Sequence, residues 1–118
     1  CCLGREQNDD TISKQLKDNQ MLNAYINRGK SEIHWHGFTE KRKHFELIGL
    51  LLKEHPQTTH KYINNIHANF NSEKVKAIIY DIDANLPLNL INFKLPEHRK
   101  ELMFKLITLR AEKLMNLL

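Results

Sequence analysis

Residues 39–56, TEKRKHFELIGLLLKEHP, carry the longest apolar run in the sequence. Within this stretch Phe45, Ile48 and Leu52 recur at spacings i, i+3 and i+7, the period of an amphipathic helix that buries one face. Thr39 belongs to the residue types that cap helix starts, and the closing proline disfavours helical geometry at the residue before it. The stretch therefore predicts a central helix in the middle of the core, covered by the other elements.

Apolar residues at helical spacing predict four further helices around this one. The first begins at a cap formed by Asp10 or Thr11 and ends near Arg28, before a glycine suited to a helix C-terminus. Asn71 or Ser72 is the expected cap of the fourth helix. Counted along the chain, the central helix is the second. The approximate ranges of the others are 11–28 for the first helix, 57–70 for the third, 72–85 for the fourth and 96–118 for the last.

The run LPLNLINFKLP, residues 86–96, is apolar and lies between two prolines. Because proline interrupts helices, we expect a buried connector across the bundle, with a short strand-like piece or a single helical turn. The predicted fold class is all-α, a compact bundle or orthogonal array of four to five helices with this connector before the last one. Residues 1–9 are expected to form a flexible tail or lipid tether, and residues 10–118 a single helical domain.

The composition is that of one small domain. A chain of 118 residues with 41% apolar content can build one core. The formal charge of +4 is too mild to indicate a dedicated nucleic-acid binder. No apolar run approaches the ~20 residues of a membrane-spanning helix, which predicts a soluble body. The two cysteines are adjacent in the sequence, so no disulfide framework is predicted.

The N-terminus admits two interpretations. The sequence starts with Cys1 rather than methionine and soon enters the polar run GREQNDD. A processed chain with an N-terminal cysteine resembles a bacterial lipoprotein, which implies that the thiol of Cys1 carries a lipid and that the polar run is a tether. The resemblance also implies a location at the periplasmic face of an envelope membrane. The other interpretation is a trimmed fragment, for which a cytoplasmic location is expected.

Histidine is concentrated in one part of the chain, with six of the seven residues between positions 34 and 67. His34 and His36 can lie on one side of an extended segment, and His60 and His67 share a face of the predicted third helix. These four imidazoles are weak candidates for a zinc or copper site. Because no HExxH or CxxC motif accompanies them, neither a metal nor a cofactor is predicted.

The segment between the first and the central helix carries the side chains best suited to binding another protein. Trp35 and Phe38 stand among histidines in this irregular segment, and large aromatic residues anchor many protein interfaces. The single Trp of a small domain is also commonly a core residue, and that alternative stays open. The predicted partner-binding residues are Ile33, His34, Trp35, His36, Phe38 and His44.

The sequence shows no catalytic signature, so no enzyme is predicted. The serines lack a GxSxG setting, no glycine-rich phosphate loop is present, and Asp81 and Asp83 fall on different faces of their helix. The leading hypothesis is a non-catalytic helical protein that binds another protein. Accessory factors of secretion or conjugation machines and toxin-immunity proteins are of this size and class.

The alternative hypothesis is a cytosolic, nucleic-acid-associated regulator of plasmid or phage origin. Such a protein would contact phosphates through its cations, and its binding would weaken steeply with salt. The residues predicted for this role are Lys41, Arg42, Lys43, Arg99, Lys100, Lys105 and Arg110.

Overall fold

The computed structural model describes residues 7–118, which form six α-helices and one 3₁₀-helix and contain no β-strand. The predicted all-α class is confirmed. None of the helices in this part of the chain has the length and apolar content needed to cross a bilayer. The elements are α1 (Asp9–Lys17), α2 (Asn19–Arg28), α3 (His44–Glu54), α4 (Pro56–Asn69), α5 (Ser72–Asp81), the connector 3₁₀-helix (Leu88–Phe93) and α6 (Glu97–Met115).

The first predicted helix is in fact two, because Asp18 interrupts it. Asp18 has extended backbone geometry, and its Oδ1 accepts hydrogen bonds from the N–H groups of Gln20 at 2.8 Å and Met21 at 3.4 Å. A short acidic side chain that can bond the following amides favours a helix start over a helix interior. The cap of α1 also lies two or three residues earlier than predicted, since Asn8 Oδ1 accepts from the N–H of Thr11 at 2.8 Å.

The core forms around α6 and not around the stretch 39–56. The best-buried apolar side chains, each at most 2% exposed, come from α1, α2 and α6, and they are Ile12, Leu22, Ile26, Leu102 and Leu106. α6 packs against α1, α2, α4 and α5, whereas α3 packs chiefly against α4. The prediction that the longest apolar run would be the middle of the core is therefore wrong. α3 contributes a single buried residue, Leu47, which is 7% exposed.

The start of α3 is also later than predicted. Thr39 does not cap it; the helix begins at His44, and the preceding Lys43 makes no side-chain capping bond. Lys43 is held in extended geometry by an antiparallel β-bridge to Lys30, which keeps residues 39–43 out of the helix. The other end agrees with the sequence, because α3 stops at Glu54, just before the proline that begins α4.

The cap predicted for the fourth helix, which is α5 in the structure, is confirmed. The prediction that the connector is buried is wrong. Asn71 Oδ1 accepts from the N–H of Lys74 at 2.9 Å, as the residue pattern indicated. The connector forms a 3₁₀-helix that lies on the surface, with Leu88 90% and Phe93 75% exposed. An i+3 period distributes the apolar residues of LNLINF over more than one side, so no single face can be buried.

A buried ion pair fixes the connector to α5 and α6. Lys100, only 2% exposed, places its Nζ 2.6 Å from Asp83 Oδ1 and donates to the Tyr80 carbonyl at 3.0 Å. The other carboxylate oxygen of Asp83 accepts from the N–H of Leu95 at 2.6 Å. The hydrogen bond from Lys100 is the main reason why the pKa of Asp83 lies below its ordinary value. One carboxylate therefore holds the end of α5, the end of the connector and α6 together.

Candidate partner-binding site

The segment that the sequence singled out forms a loop whose two ends are tied together. In this Lys30–Lys43 loop the N–H of Ser31 donates to the Arg42 carbonyl at 2.8 Å, and the N–H of His44 donates to the Gly29 carbonyl at 3.0 Å. Near the tip the chain turns at Gly37, which has a φ of 83°, and the N–H of Phe38 donates to the Trp35 carbonyl at 3.0 Å. A positive φ is the conformation that glycine adopts most readily. The loop is therefore held by backbone bonds at its base and at its tip.

Apolar side chains of this loop face solvent. Ile33 is 69% and Phe38 41% exposed, and Trp35 is half-buried outside the core cluster. The guanidinium of Arg42 stacks on the ring of Phe38, 3.8 Å from its centroid, and this contact orients the ring. His34 and His36 are exposed beside them. The structure thus brings five of the six predicted partner-binding residues onto one loop.

The sixth residue, His44, stands at the base of the loop and faces inward. Its ring lies against Gly29, where an added Cβ would be only 3.0 Å from His44 Cδ2. Its Nε2 is buried and has no hydrogen-bond partner among residues 7–118. Burial, followed by the positive charge of Arg110, lowers the pKa of His44. Burial therefore favours the neutral form of the imidazole.

The cations predicted for nucleic-acid contact divide into two groups. Lys41, Arg42 and Lys43 line a cleft of about 460 Å³ at the base of the loop, together with Lys30 and Phe38. Carboxylates reduce the positive charge there, because Glu32 pairs with Lys41 and Glu46 lies 3.7 Å from Lys43. The pKa of Glu32 is lowered, mainly by the hydrogen bond from Lys41.

Most of the cations predicted on the last helix are engaged within the fold. Lys100 is the buried partner of Asp83. Arg99 lies 3.3 Å from the Asp9 carboxylate, and Lys105 donates to the Leu16 carbonyl of α1 at 3.0 Å. Arg110 lines a cleft together with His44 and Ile48 of α3. The four do not form a stripe with the cations of the loop.

The four histidines considered as metal ligands are exposed side chains on the loop and on α4. Nowhere between residues 7 and 118 do three His, Cys, Asp or Glu side chains come together in a way that could hold a metal ion. Cys1, the predicted point of lipid attachment, lies outside the described residues.

Sequence reasoning missed an apolar groove along α3. Two adjoining clefts share Ile48 and Leu114: one of about 260 Å³ beside His44 and Arg110, and one of about 490 Å³ between α3 and α4. Tyr62, on the α4 wall, is exposed. The sequence did contain one indication of this groove. Tyr62 and Ile66, spaced i and i+4, form a second apolar row on α4 beside the row that packs inward.

No protein-family model, no curated protein and no solved structure matches the chain. The fold and the site define a small helical protein with a backbone-tied, partly apolar loop and an open apolar groove.

Proposed function

We propose that this chain is a non-catalytic helical protein that binds another protein through the Lys30–Lys43 loop. The observation that carries the proposal is that the loop is tied by backbone hydrogen bonds while Ile33 and Phe38 remain exposed. Ordering a loop on binding costs free energy, and a loop that is already ordered avoids that cost. Exposed apolar side chains on such a support are typical anchors of protein interfaces.

The chemistry of the loop supports a partner with both apolar and acidic groups. Phe38 offers a ring face that the Arg42 guanidinium holds in place. Lys30 and Arg42 line the cleft below it, and neither has a carboxylate partner among the described residues. An apolar side chain of the partner would cover Phe38, and a neighbouring carboxylate would pair with Arg42.

The predicted role as an envelope lipoprotein belongs to the same proposal. A lipid on Cys1 would hold the domain at the periplasmic face of a membrane, where it would act as a secretion or conjugation accessory factor or as an immunity protein. The polar residues that follow would keep the loop accessible. If Cys1 is not a processed terminus, the proposed location is the cytoplasm.

The loop proposal predicts that Phe38→Ala will reduce recovery of the native partner at least tenfold. The tagged chain would be expressed in its source cells, purified from membrane and soluble fractions, and its partners quantified by mass spectrometry. Met21→Ala is the matched control, because Met21 is 38% exposed against 41% for Phe38 but lies on α2. The control should recover the partner as the wild type does.

Equal recovery with both variants would contradict the assignment of the loop. The intact mass of the membrane-bound chain tests the lipid separately, and an unmodified Cys1 or residues before it would contradict that part. If the recovered material is nucleic acid, released steeply by salt and lost on Lys41→Gln or Arg42→Gln, the cytosolic regulator is the correct function. The basic cleft around Phe38 is the feature that favours this alternative, since aromatic faces and cations together bind single strands.

A further inference from the structure

The groove along α3 has apolar walls and polar groups mainly at its ends. The walls are formed by Ile48 and Leu51 of α3, Ile63 of α4 and Leu114 of α6. The larger of the two adjoining clefts, of about 490 Å³, is of the size that small-molecule sites occupy, and the smaller one, of about 260 Å³, extends it. Arg110 and His44 lie at one end, beside α2. The groove thus combines a long apolar part with a cationic end.

Arg110 is the unusual cation of α6. Lys100, Arg99 and Lys105 of the same helix each have a carboxylate within 4 Å. Lys113 has no carboxylate partner, but its Nζ donates to Asn27 Oδ1 and lies 5.0 Å from the centroid of the Phe45 ring. Arg110 is half-buried, and no carboxylate or carbonyl of residues 7–118 pairs with it. A guanidinium that has lost part of its water without gaining an anion is unfavourable, and its planar donors match a carboxylate.

His44 adds a second unpaired group at the same end. Its buried Nε2 lacks a hydrogen-bond partner among residues 7–118, and it lines the same cleft as Arg110. Burial and the charge of Arg110 lower the pKa of the ring, which favours its neutral form. Two groups that need a partner therefore lie where an apolar groove ends.

We propose that this groove binds an amphiphile with one carboxylate head and an unbranched alkyl chain. The carboxylate pairs with the Arg110 guanidinium, and the alkyl chain lies along Ile48 and Leu114 toward Leu51 and Tyr62. This site goes beyond the proposed protein binding and does not depend on it, because neither Ile33 nor Phe38 lines the groove.

The test is calorimetric titration of the purified chain with decanoate, kept below the concentration at which it forms micelles. Saturable binding at one site is expected, and decyltrimethylammonium, which has the same chain and the opposite charge, should bind at least tenfold more weakly. Across hexanoate, octanoate and decanoate, affinity should rise about two- to fourfold for each added methylene, because each one buries apolar surface.

Substitutions locate the head group. Arg110→Gln should weaken decanoate binding roughly ten- to hundredfold, the value of a charge-assisted hydrogen bond. Arg110→Lys should retain part of the affinity. Arg28→Gln is the matched control, since Arg28 is exposed on α2 outside the groove, and it should bind as the wild type does. Thermal melting of each variant confirms that it is folded.

Four results would overturn the proposal: no binding of decanoate, equal binding of the cationic amphiphile, affinity independent of chain length, or equal affinity for Arg110→Gln and Arg28→Gln. The Phe38→Ala variant should bind decanoate normally. The loop proposal and the groove proposal can therefore be contradicted independently of each other.

Discussion

Replacement of Asp83 by Ala is expected to lower the melting temperature by about 10–20 °C, because it leaves a buried ammonium without its anion. Lys100 is 2% exposed and would retain only the Tyr80 carbonyl as a partner. The N–H of Leu95 would lose its acceptor as well. The bonds through which one carboxylate joins three elements would be lost. Thermal melting followed by circular dichroism measures the effect.

The control for this substitution is an exposed ion pair. Glu32→Ala removes the partner of Lys41 at the surface of the loop, and it should shift the melting temperature by no more than about 3 °C. A double variant, Asp83→Leu with Lys100→Met, should cost less than the two single changes together, because it leaves no buried charge. If the Asp83→Ala variant has the same melting temperature as the Glu32→Ala control, the structural role of the buried pair is contradicted.

The same pair predicts a dependence on pH. Hydrogen bonding to Lys100 holds the pKa of Asp83 in the folded chain below its ordinary value of 3.8. A carboxyl whose pKa is lower in the folded state stabilises that state fully above the unfolded value and loses this contribution as the pH falls through the folded one. The wild type should therefore lose stability below about pH 4, and the Asp83→Ala variant should lack that component.

The second large effect is expected from Leu106→Ala, which should lower the free energy of unfolding by about 2–5 kcal/mol. Leu106 is fully buried in the cluster that joins α6 to α1 and α2. Removing its branched end takes away apolar contacts and leaves a cavity that rigid neighbours on three helices cannot fill. Urea unfolding at constant m-value measures the loss.

Several elements could be predicted because their signals are local. The Asn71 cap, the end of α3 before Pro56 and the start of the last helix, predicted at Pro96 and found at Glu97, each depend on residues next to them in sequence. The interruption at Asp18 had a local signal too, but the apolar period on either side of it favoured one helix.

The position of the core could not be predicted in this way. The α3 sequence has apolar residues on more than one side, and a period of 3.6 does not say which side another helix will cover. The shorter, more polar stripes of α1 and α2 gave the fully buried Ile12, Leu22 and Ile26 instead. Burial here follows from which helices pack on α6, and that depends on residues far apart in the chain.

The candidate site could likewise be predicted only in part. The aromatic and histidine segment was recognisable from composition, and it forms an exposed loop. The groove was not, because Arg110 and His44 are 66 positions apart in the chain and meet only through packing. The pairing of Asp83 with Lys100 likewise has no helical or strand spacing that would reveal it.

One matched comparison tests the central claim that the core forms on α6 and leaves the apolar face of α3 open. Leu106→Ala and Leu51→Ala remove the same atoms, one from the core cluster and one from the half-buried wall of the groove. The unfolding free energy should fall by about 2–5 kcal/mol for Leu106→Ala and by less than about 1.5 kcal/mol for Leu51→Ala. An equal or larger loss for Leu51→Ala would place the core on α3 and contradict the open groove.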